Sequence, residues 1–130
     1  MEGSLKTLLQ YRLDRAEEML KASKDNLEMN QLRTSLNRSY YAIFHAMRAV
    51  NTLDGFDSSK HSGVIAHFNQ HYIKSGILSA ELSKIIKSSS FLREKSDYDD
   101  FYVVSKAEAE EQLRNAELFI NSIKQYLTSL

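Results

Sequence analysis

The sequence holds 130 residues, of which 42% are hydrophobic and 26% charged, a composition ordinary for a globular domain. At this length, folding buries roughly two-thirds of the surface of the unfolded chain, so we expect residues 1–130 to form a single domain with one core. Basic and acidic residues both number 17, and the resulting formal charge of zero lacks the excess expected of a general nucleic-acid binder. Any recognition of phosphate must therefore be local.

Several classes of site are excluded by residues that the sequence lacks. Cysteine is absent, which excludes disulfides, thiolate zinc sites and a cysteine nucleophile. No metal and no cofactor is therefore expected. No stretch approaches the roughly 18 apolar residues that a membrane-spanning helix needs, and the first residues lack the pattern of a secretory signal. We expect a cytoplasmic protein with no membrane contact.

The first half of the chain favours two long helices, because proline is absent and only four glycines occur. Apolar residues at spacings of three and four predict a first helix over residues 5–27. A second helix is predicted over residues 30–53, before a turn at Asp54 and Gly55.

The second half predicts three more helices. Ser58 or Ser59 is the expected N-cap of a third helix that stops near Gly76, and a fourth helix is predicted over residues 79–95. The acidic and aromatic segment 96–104 is predicted to be a loop packed on the bundle, with docking of a basic partner as the alternative. Ser105 and Glu108 have the spacing of a capping box for a last helix that ends near residue 127. The expected fold is all-α, an up-and-down bundle of four to five helices.

The second helix carries an arginine and a histidine on one face. Arg38 and His45 are seven residues apart, which is within about 20° of two full turns. The opposite face is predicted to be core and carries Leu36, Tyr40, Ile43, Met47 and Val50. Around Arg38 and His45 lie small residues, with Tyr41 at the edge; they are Thr34, Ser35, Ala42 and Ala49. Because an outward face usually carries lysine and glutamate, we expect this small-residue face to meet a second copy of the chain in a symmetric homodimer.

The same helix carries a family resemblance. Residues 36–46 contain an arginine, two adjacent tyrosines, an alanine and a Phe-His pair, and this segment resembles the signature helix of HEPN domains. Residues 60–65, residues 92–93 with 97–99, and residues 107–116 also agree with the family, in its usual order. The resemblance thus covers nearly the whole chain.

The resemblance implies an all-α bundle that commonly forms homodimers, and in many members a metal-independent ribonuclease built on an arginine followed some residues later by a histidine. Arg38 and His45, separated by six residues, fit this pattern. Many active members carry a polar residue directly after the arginine; Ser39 holds that position here, and Asn37 precedes the arginine. Other members are nucleotide-binding or interaction modules, often beside a nucleotidyltransferase encoded as a separate chain.

These residue types suit cleavage of RNA without a metal. An unperturbed histidine titrates near 6.5 and can act as base or acid, whereas arginine keeps its proton and holds phosphate. One chain supplies one such histidine, so a homodimer through the second helix would place two copies of His45 and Arg38 around one cleft. We therefore predict an RNA endonuclease, the toxin-like half of a two-gene module with a nucleotidyltransferase partner. The alternative is a non-catalytic nucleotide-binding or adaptor module.

Five residues are candidates for supporting contacts with a nucleotide: Asn37 and Ser39 on either side of Arg38, and Tyr41, Lys60 and His61. Tyr41 either stacks on a base at the edge of the cleft or packs within the protein. Lys60 and His61 begin the third helix, where they either contact a phosphate or form an ordinary polar first turn.

Two other pairs have structural explanations. His67 and His71 are four apart, a spacing compatible with two metal ligands, but no acidic residue completes a metal motif and surface histidines are favoured. Arg93 and Asp97 are expected to form an ion pair or a cap that fixes the following loop, with a part in catalysis as the alternative.

Overall fold

The computed structural model describes residues 3–130, so Met1 and Glu2 lie outside the described residues. The described residues form five α-helices and no β-strand, which confirms the all-α prediction. The helices are α1 (Gly3–Glu28), α2 (Leu32–Asn51), α3 (His61–Phe68), α4 (Ala80–Tyr98) and α5 (Lys106–Thr128). A 3₁₀ turn (Thr52–Asp54) continues α2, and a π-helical turn (Asn69–Ile73) continues α3.

The first two helices form an antiparallel hairpin. Asn30 has a φ of 58° and reverses the chain after α1. The Oγ of Ser23, near the end of α1, lies 2.7 Å from the Oγ of Ser39, near the start of α2. At the other end, Arg12 donates a 2.8 Å hydrogen bond to the Oγ1 of Thr52. The order of these contacts is reversed along the two helices, as an antiparallel pair requires.

Helix α5 closes the bundle against α1. Two ion pairs link them in reversed order, Lys124 with Glu17 at 2.6 Å and Lys24 with Glu117 at 3.9 Å. Its first turn has the predicted capping box, in which the hydroxyl of Ser105 accepts from the backbone N–H of Glu108 at 3.1 Å.

Helix α2 is the centre of the fold, in contact with all four other α-helices. Its predicted core stripe is confirmed, because each member is at most 2% exposed. Four members of the stripe, Tyr40, Ile43, Met47 and Val50, pack into one cluster with side chains from α3, α4 and α5. Leu36 packs in a second, smaller cluster with Val104 and Ala109. Burial of this kind stabilises by about 25 cal/mol per Å² of apolar surface removed from water.

The prediction of an outward face of small residues is wrong for three of its four members, and only Thr34 is partly exposed. Ser35, Ala42 and Ala49 are completely buried within the single chain. Ser35 shares hydrogen bonds with Ser23 of α1, and Ala42 lies in the same buried cluster as Ala16 of α1. The small side chains let α1 of the same chain approach closely, so they carry no argument for a second copy.

The third helix begins later than predicted. The Oγ of Ser58 accepts from the backbone N–H of Lys60 at 3.1 Å, so it orders the turn before α3 instead of capping the helix. Gly63 allows this turn to lie close, because a Cβ at Gly63 would be 2.5 Å from the Oγ of Ser58. The segment ends as expected near Gly76, whose φ is 81°.

The prediction of a packed loop at residues 96–104 is wrong in two respects. Helix α4 continues to Tyr98, with Ser96 buried. Phe101 is 94% exposed, whereas Val104 is buried. Arg33 fixes the segment by donating hydrogen bonds to the backbone oxygens of Ser96 and Tyr102.

Candidate active site on the second helix

Helix α2 reaches the surface along one narrow strip. Every residue from 35 to 50 is buried except five partly exposed ones, which we call the α2 strip: Asn37, Arg38, Tyr41, His45 and Arg48. The strip thus contains the predicted catalytic pair, and both residues point away from the core stripe as the helical spacing indicated.

Arg38 is held in place by its sequence neighbour. Its Nη1 donates a hydrogen bond to the Oδ1 of Asn37. Among residues 3–130, no carboxylate oxygen lies within 4.0 Å of the Arg38 guanidinium. A partly exposed guanidinium without a carboxylate can take a phosphate through two parallel hydrogen bonds.

His45 is neutral at neutral pH. Burial lowers its pKa to about 4, and the positive charges of Arg48, Arg15 and Arg12 and the nearby His61 act in the same direction. Its Nδ1 is buried without a hydrogen-bond partner, which leaves Nε2 as the nitrogen that can meet a substrate. The sequence-based expectation of a pKa near 6.5 therefore needs correction. A neutral imidazole is ready to accept a proton but cannot donate one as an acid.

His61 packs against α2 instead of forming a simple polar first turn. Its ring centroid lies 4.1 Å from that of Phe44, and its Nδ1 is 2.9 Å from the hydroxyl oxygen of Tyr40. Burial lowers the pKa of His61, and the charges of Arg93 and Arg48 lower it further. His61 is therefore a neighbour of the α2 strip that the fold brings from another helix.

Tyr41 lies between the two histidines. Its ring centroid is 6.2 Å from that of His45 and 5.8 Å from that of His61, and it meets Tyr40 edge to face at 5.1 Å. The ring is both packed on its neighbours and partly exposed, so the two sequence-based interpretations of Tyr41 are compatible.

The three remaining candidates for supporting contacts differ in their exposure. Ser39 is completely buried, with its hydroxyl beside that of Ser23, so it has no exposed surface for a nucleotide contact. Asn37 belongs to the α2 strip. Lys60 is exposed directly before α3.

Sequence reasoning missed a cluster of arginines at the end of the α2 strip. Arg12 of α1 is only 6% exposed, and its Nη2 lies 2.9 Å from the Oδ2 of Asp57. The Nη2 of Arg48 lies 3.1 Å from the same oxygen. Burial by itself raises the pKa of Asp57, but hydrogen bonds from Arg48 and the backbone of Ser58 and the charge of Arg12 outweigh it and lower the pKa. Arg48 could have been found from its position three residues after His45, whereas Arg12 and Asp57 could not.

The two other residue pairs singled out in the sequence make contacts within the chain. Arg93 and Asp97 form the expected ion pair at 3.2 Å. The Nε2 of His67 lies 2.9 Å from the Oδ2 of Asp54, and the ring stacks on that of His71 at 4.1 Å. Within residues 3–130 there is no group of three or more histidine, aspartate or glutamate side chains that could hold a metal ion. None of the helices described is long and apolar enough to cross a bilayer.

An all-helical bundle with an arginine and a histidine on the exposed strip of its central helix defines the class of protein. The family model of the HEPN domain matches residues 9–126, and the chain belongs to this family. The resemblance seen in residues 36–46 is thereby confirmed.

Relatives extend over nearly the whole chain. A UPF0332 protein of Thermotoga maritima is 32% identical over 123 residues, which is 95% of this chain and 93% of the relative. A Methanocaldococcus jannaschii protein named "Putative toxin MJ0142" is 32% identical over 99% of this chain and 88% of its own length. The crystal structure of ST0689, an archaeal HEPN homologue, superposes with a TM-score of 0.64 at 17% identity, covering 90% of this chain and 95% of that one. This last similarity supports the fold.

Proposed function

We propose that the protein is a metal-independent RNA endonuclease that acts as the toxin-like half of a two-gene module, with a separate nucleotidyltransferase chain as its partner. The observation that carries the proposal is the α2 strip, which exposes an arginine without a carboxylate and a neutral histidine where the rest of residues 35–50 is buried. Two relatives from Methanocaldococcus jannaschii carry the names "Putative toxin MJ0142" and "Putative toxin MJ0605", and these names support the toxin-like role.

The chemistry follows from the two side chains. Nε2 of His45 takes the proton of a 2′-hydroxyl, whose oxygen attacks the adjacent phosphorus while the bond to the 5′-oxygen breaks. Arg38 holds the negative charge that develops on the phosphorane oxygens. The products are a 2′,3′-cyclic phosphate and a 5′-hydroxyl, and no metal enters the reaction.

The leaving 5′-oxygen also needs a proton. Burial is the largest cause of the lowered pKa of His45, and the arginines add to it; the negative charge of a bound phosphate offsets the arginines and so raises this pKa relative to the free chain. A homodimer through the α2 strip supplies a second His45 to act as the acid beside the first, which acts as the base. This dimer rests on the exposed strip and no longer on the small-residue face.

Cleavage of RNA in EDTA tests the proposal. Purified wild-type protein should cut single-stranded RNA, leave 2′,3′-cyclic phosphate ends and spare DNA, which lacks the attacking hydroxyl. Arg38→Ala and His45→Ala should each abolish cutting. Arg114→Ala and His71→Ala remove the same side chains from exposed positions elsewhere and should cut like the wild type.

Mixing the two inactive variants tests the composite cleft. A heterodimer of Arg38→Ala with His45→Ala retains one Arg38 and one His45. If two histidines must cooperate, the mixture stays inactive; if one of each suffices, part of the activity returns.

Induced expression in a bacterial host tests the toxin-like role. Wild-type protein should arrest growth, and His45→Ala should not. Relief of the arrest by co-expression of a small nucleotidyltransferase would identify the partner.

A second candidate function is a non-catalytic nucleotide-binding or adaptor module. It is favoured by the lowered pKa of His45, which leaves the free chain without an imidazolium acid at neutral pH, and by the formal net charge of zero. Wild-type protein that leaves RNA intact in EDTA, yet binds a nucleotide in an Arg38-dependent manner, decides for this candidate.

A further inference from the structure

The arginine cluster beside His45 contains more positive than negative charge. Arg12, Arg15 and Arg48 face the carboxylates of Asp57 and Glu18. Arg12 and Arg48 both contact the Oδ2 of Asp57, so one carboxylate is shared between two guanidinium groups. These ion pairs therefore hold three positive charges and two negative charges, in a chain whose total formal charge is zero.

The two arginines nearest the surface are placed to meet a ligand. The side chains of Arg48 and Arg15 are 28% and 38% exposed, and the charges of both act on His45. Arg12 is buried beneath them, where it donates hydrogen bonds to Thr52 and Asp57 and fixes the position of the Asp57 carboxylate.

Along α2, the cationic groups lie on both sides of His45. Arg38 is seven residues before it, a rise of about 10.5 Å, and Arg48 is three residues after it, a rise of about 4.5 Å. The two arginines therefore flank His45 along the helix axis, and this spacing fits two different phosphates of one polynucleotide better than a single phosphate.

We propose that Arg48 and Arg15 form a second phosphate subsite, so that single-stranded RNA lies along the α2 strip with one phosphate at Arg38 and a phosphate further along the strand at Arg48, and that Asp57 competes with this second phosphate for Arg48. The inference rests on the proposed function, because it assigns the path of the same RNA. It assigns no part in bond cleavage to Arg48. Tyr41 lies between the two subsites, where its partly exposed ring offers a surface on which a base stacks.

A purely structural role for Asp57 and competition of Asp57 with a phosphate predict opposite effects of Asp57→Asn on RNA binding. If Asp57 only ties the 3₁₀ turn and the following loop to α1, its removal loosens the loop and weakens any ligand bound there. If Asp57 competes with a phosphate, Asp57→Asn frees Arg48 and strengthens RNA binding.

Binding of an uncleavable RNA distinguishes these two roles of Asp57 and tests the second phosphate subsite. The probe is a fluorescein-labelled 2′-O-methyl oligonucleotide, which lacks the attacking hydroxyl, and its anisotropy is followed between about 50 and 200 mM salt. Arg48→Gln and Arg15→Gln should each weaken binding several-fold, and each should lower the slope of log Kd against log salt by about 0.7, the value for one phosphate contact in a single strand. Asp57→Asn should tighten binding several-fold. Arg114→Gln, which removes an exposed arginine from α5, should match the wild type.

The outcomes are distinct. Folded Arg48→Gln and Arg15→Gln proteins that bind like the wild type, while Arg38→Gln does not, overturn the subsite and leave the proposed function standing. A folded Asp57→Asn variant that binds more weakly overturns the competition. Wild-type protein that fails to bind the oligonucleotide, or that prefers hexaglutamate to it, overturns both the subsite and the RNA substrate. Circular dichroism establishes whether each variant is folded. Arg15→Gln loses only a surface ion pair with Glu18, so its binding measurement still tests the subsite if Arg48→Gln unfolds.

Discussion

His45 occupies an environment that opposes its charged form. Half-burial removes water from the ring, and three arginines from α1 and α2 together with His61 of α3 add positive potential. The fold thus keeps a neutral base on the surface of a buried helix. The energetic consequence is a dependence of stability on pH, because the unfolded chain has no such environment.

We expect the stability of the folded chain to fall as the pH is lowered from about 6.5 to about 4. Below 6.5 the unfolded state binds a proton at residue 45, whereas the folded state resists it until the pH approaches the folded pKa of about 4. The contribution is therefore present above 6.5 and lost as the pH falls through the folded pKa. Below that value both states are protonated and the effect levels off.

Urea unfolding at several pH values measures this effect. His61, whose pKa is also lowered, acts in the same direction, so the comparison is between the wild type and His45→Gln. The variant should lose less stability between pH 6.5 and 4, and NMR should show the His45 ring titrating near 4. Identical pH profiles for the two proteins would contradict the assignment.

At the scale of elements, the packed interface between α1 and α2, which we call the seam, determines which part of α2 is exposed. The seam is lined by small side chains, including Ala16 and Ala42, and by the hydroxyls of Ser23, Ser35 and Ser39, which satisfy one another. Buried hydroxyls of this kind need partners, and the antiparallel hairpin supplies them. Arg38 and His45 are not covered by this seam and remain partly exposed in the α2 strip, with Arg12 and Arg15 of α1 near enough to act on His45.

Because the seam is closely packed, a larger side chain within it should lower the stability of the fold. Ala42→Leu adds three heavy atoms to a fully buried position and should reduce the free energy of unfolding by about 1 to 3 kcal/mol. Denaturant unfolding measures the change, with Ala107→Leu at an exposed position of α5 as the matched control. An unaltered stability for Ala42→Leu would mean that the seam is open, contrary to the structure.

At the scale of the whole molecule, one strip does not hold all the groups that the proposed two-histidine mechanism needs. One chain presents a single His45, and its partners on the strip are two arginines, an asparagine and a tyrosine. Two chains related by a two-fold axis would combine two such strips into one cleft. The oligomeric state is therefore the property that decides between the mechanism with two histidines and one with a single histidine.

We expect light scattering at micromolar concentration to report about twice the 15.0 kDa mass of the chain. Tyr41→Lys should shift the protein towards the monomer, because it places like charges on both sides of the two-fold axis beside Arg38. Tyr98→Lys makes the same change at a residue that is 79% exposed at the end of α4, and it should leave the mass unchanged. A wild-type monomer would remove the basis for the composite cleft.

The sequence by itself determined the features that depend on neighbours along the chain. Helical spacing located five helices to within a few residues, the Ser105 and Glu108 pair located the start of α5, and the core stripe of α2 followed from its period. These signals are local, because hydrogen bonds at a helix end and residues three or four apart meet whatever the rest of the chain does.

The tertiary structure alone decided how the faces of α2 are used. Small residues at positions 35, 42 and 49 are compatible with contact to a second copy or to another helix of the same chain, and only the position of α1 decides between them. The same packing buries Ser39, brings His61 against Phe44, and joins Arg12 to Asp57 across 45 residues of sequence. A central helix is covered on nearly every side, so periodicity shows which residues are apolar but not which strip remains exposed. Contacts between distant segments, and the lowered pKa that they give His45, exist only once the bundle has formed.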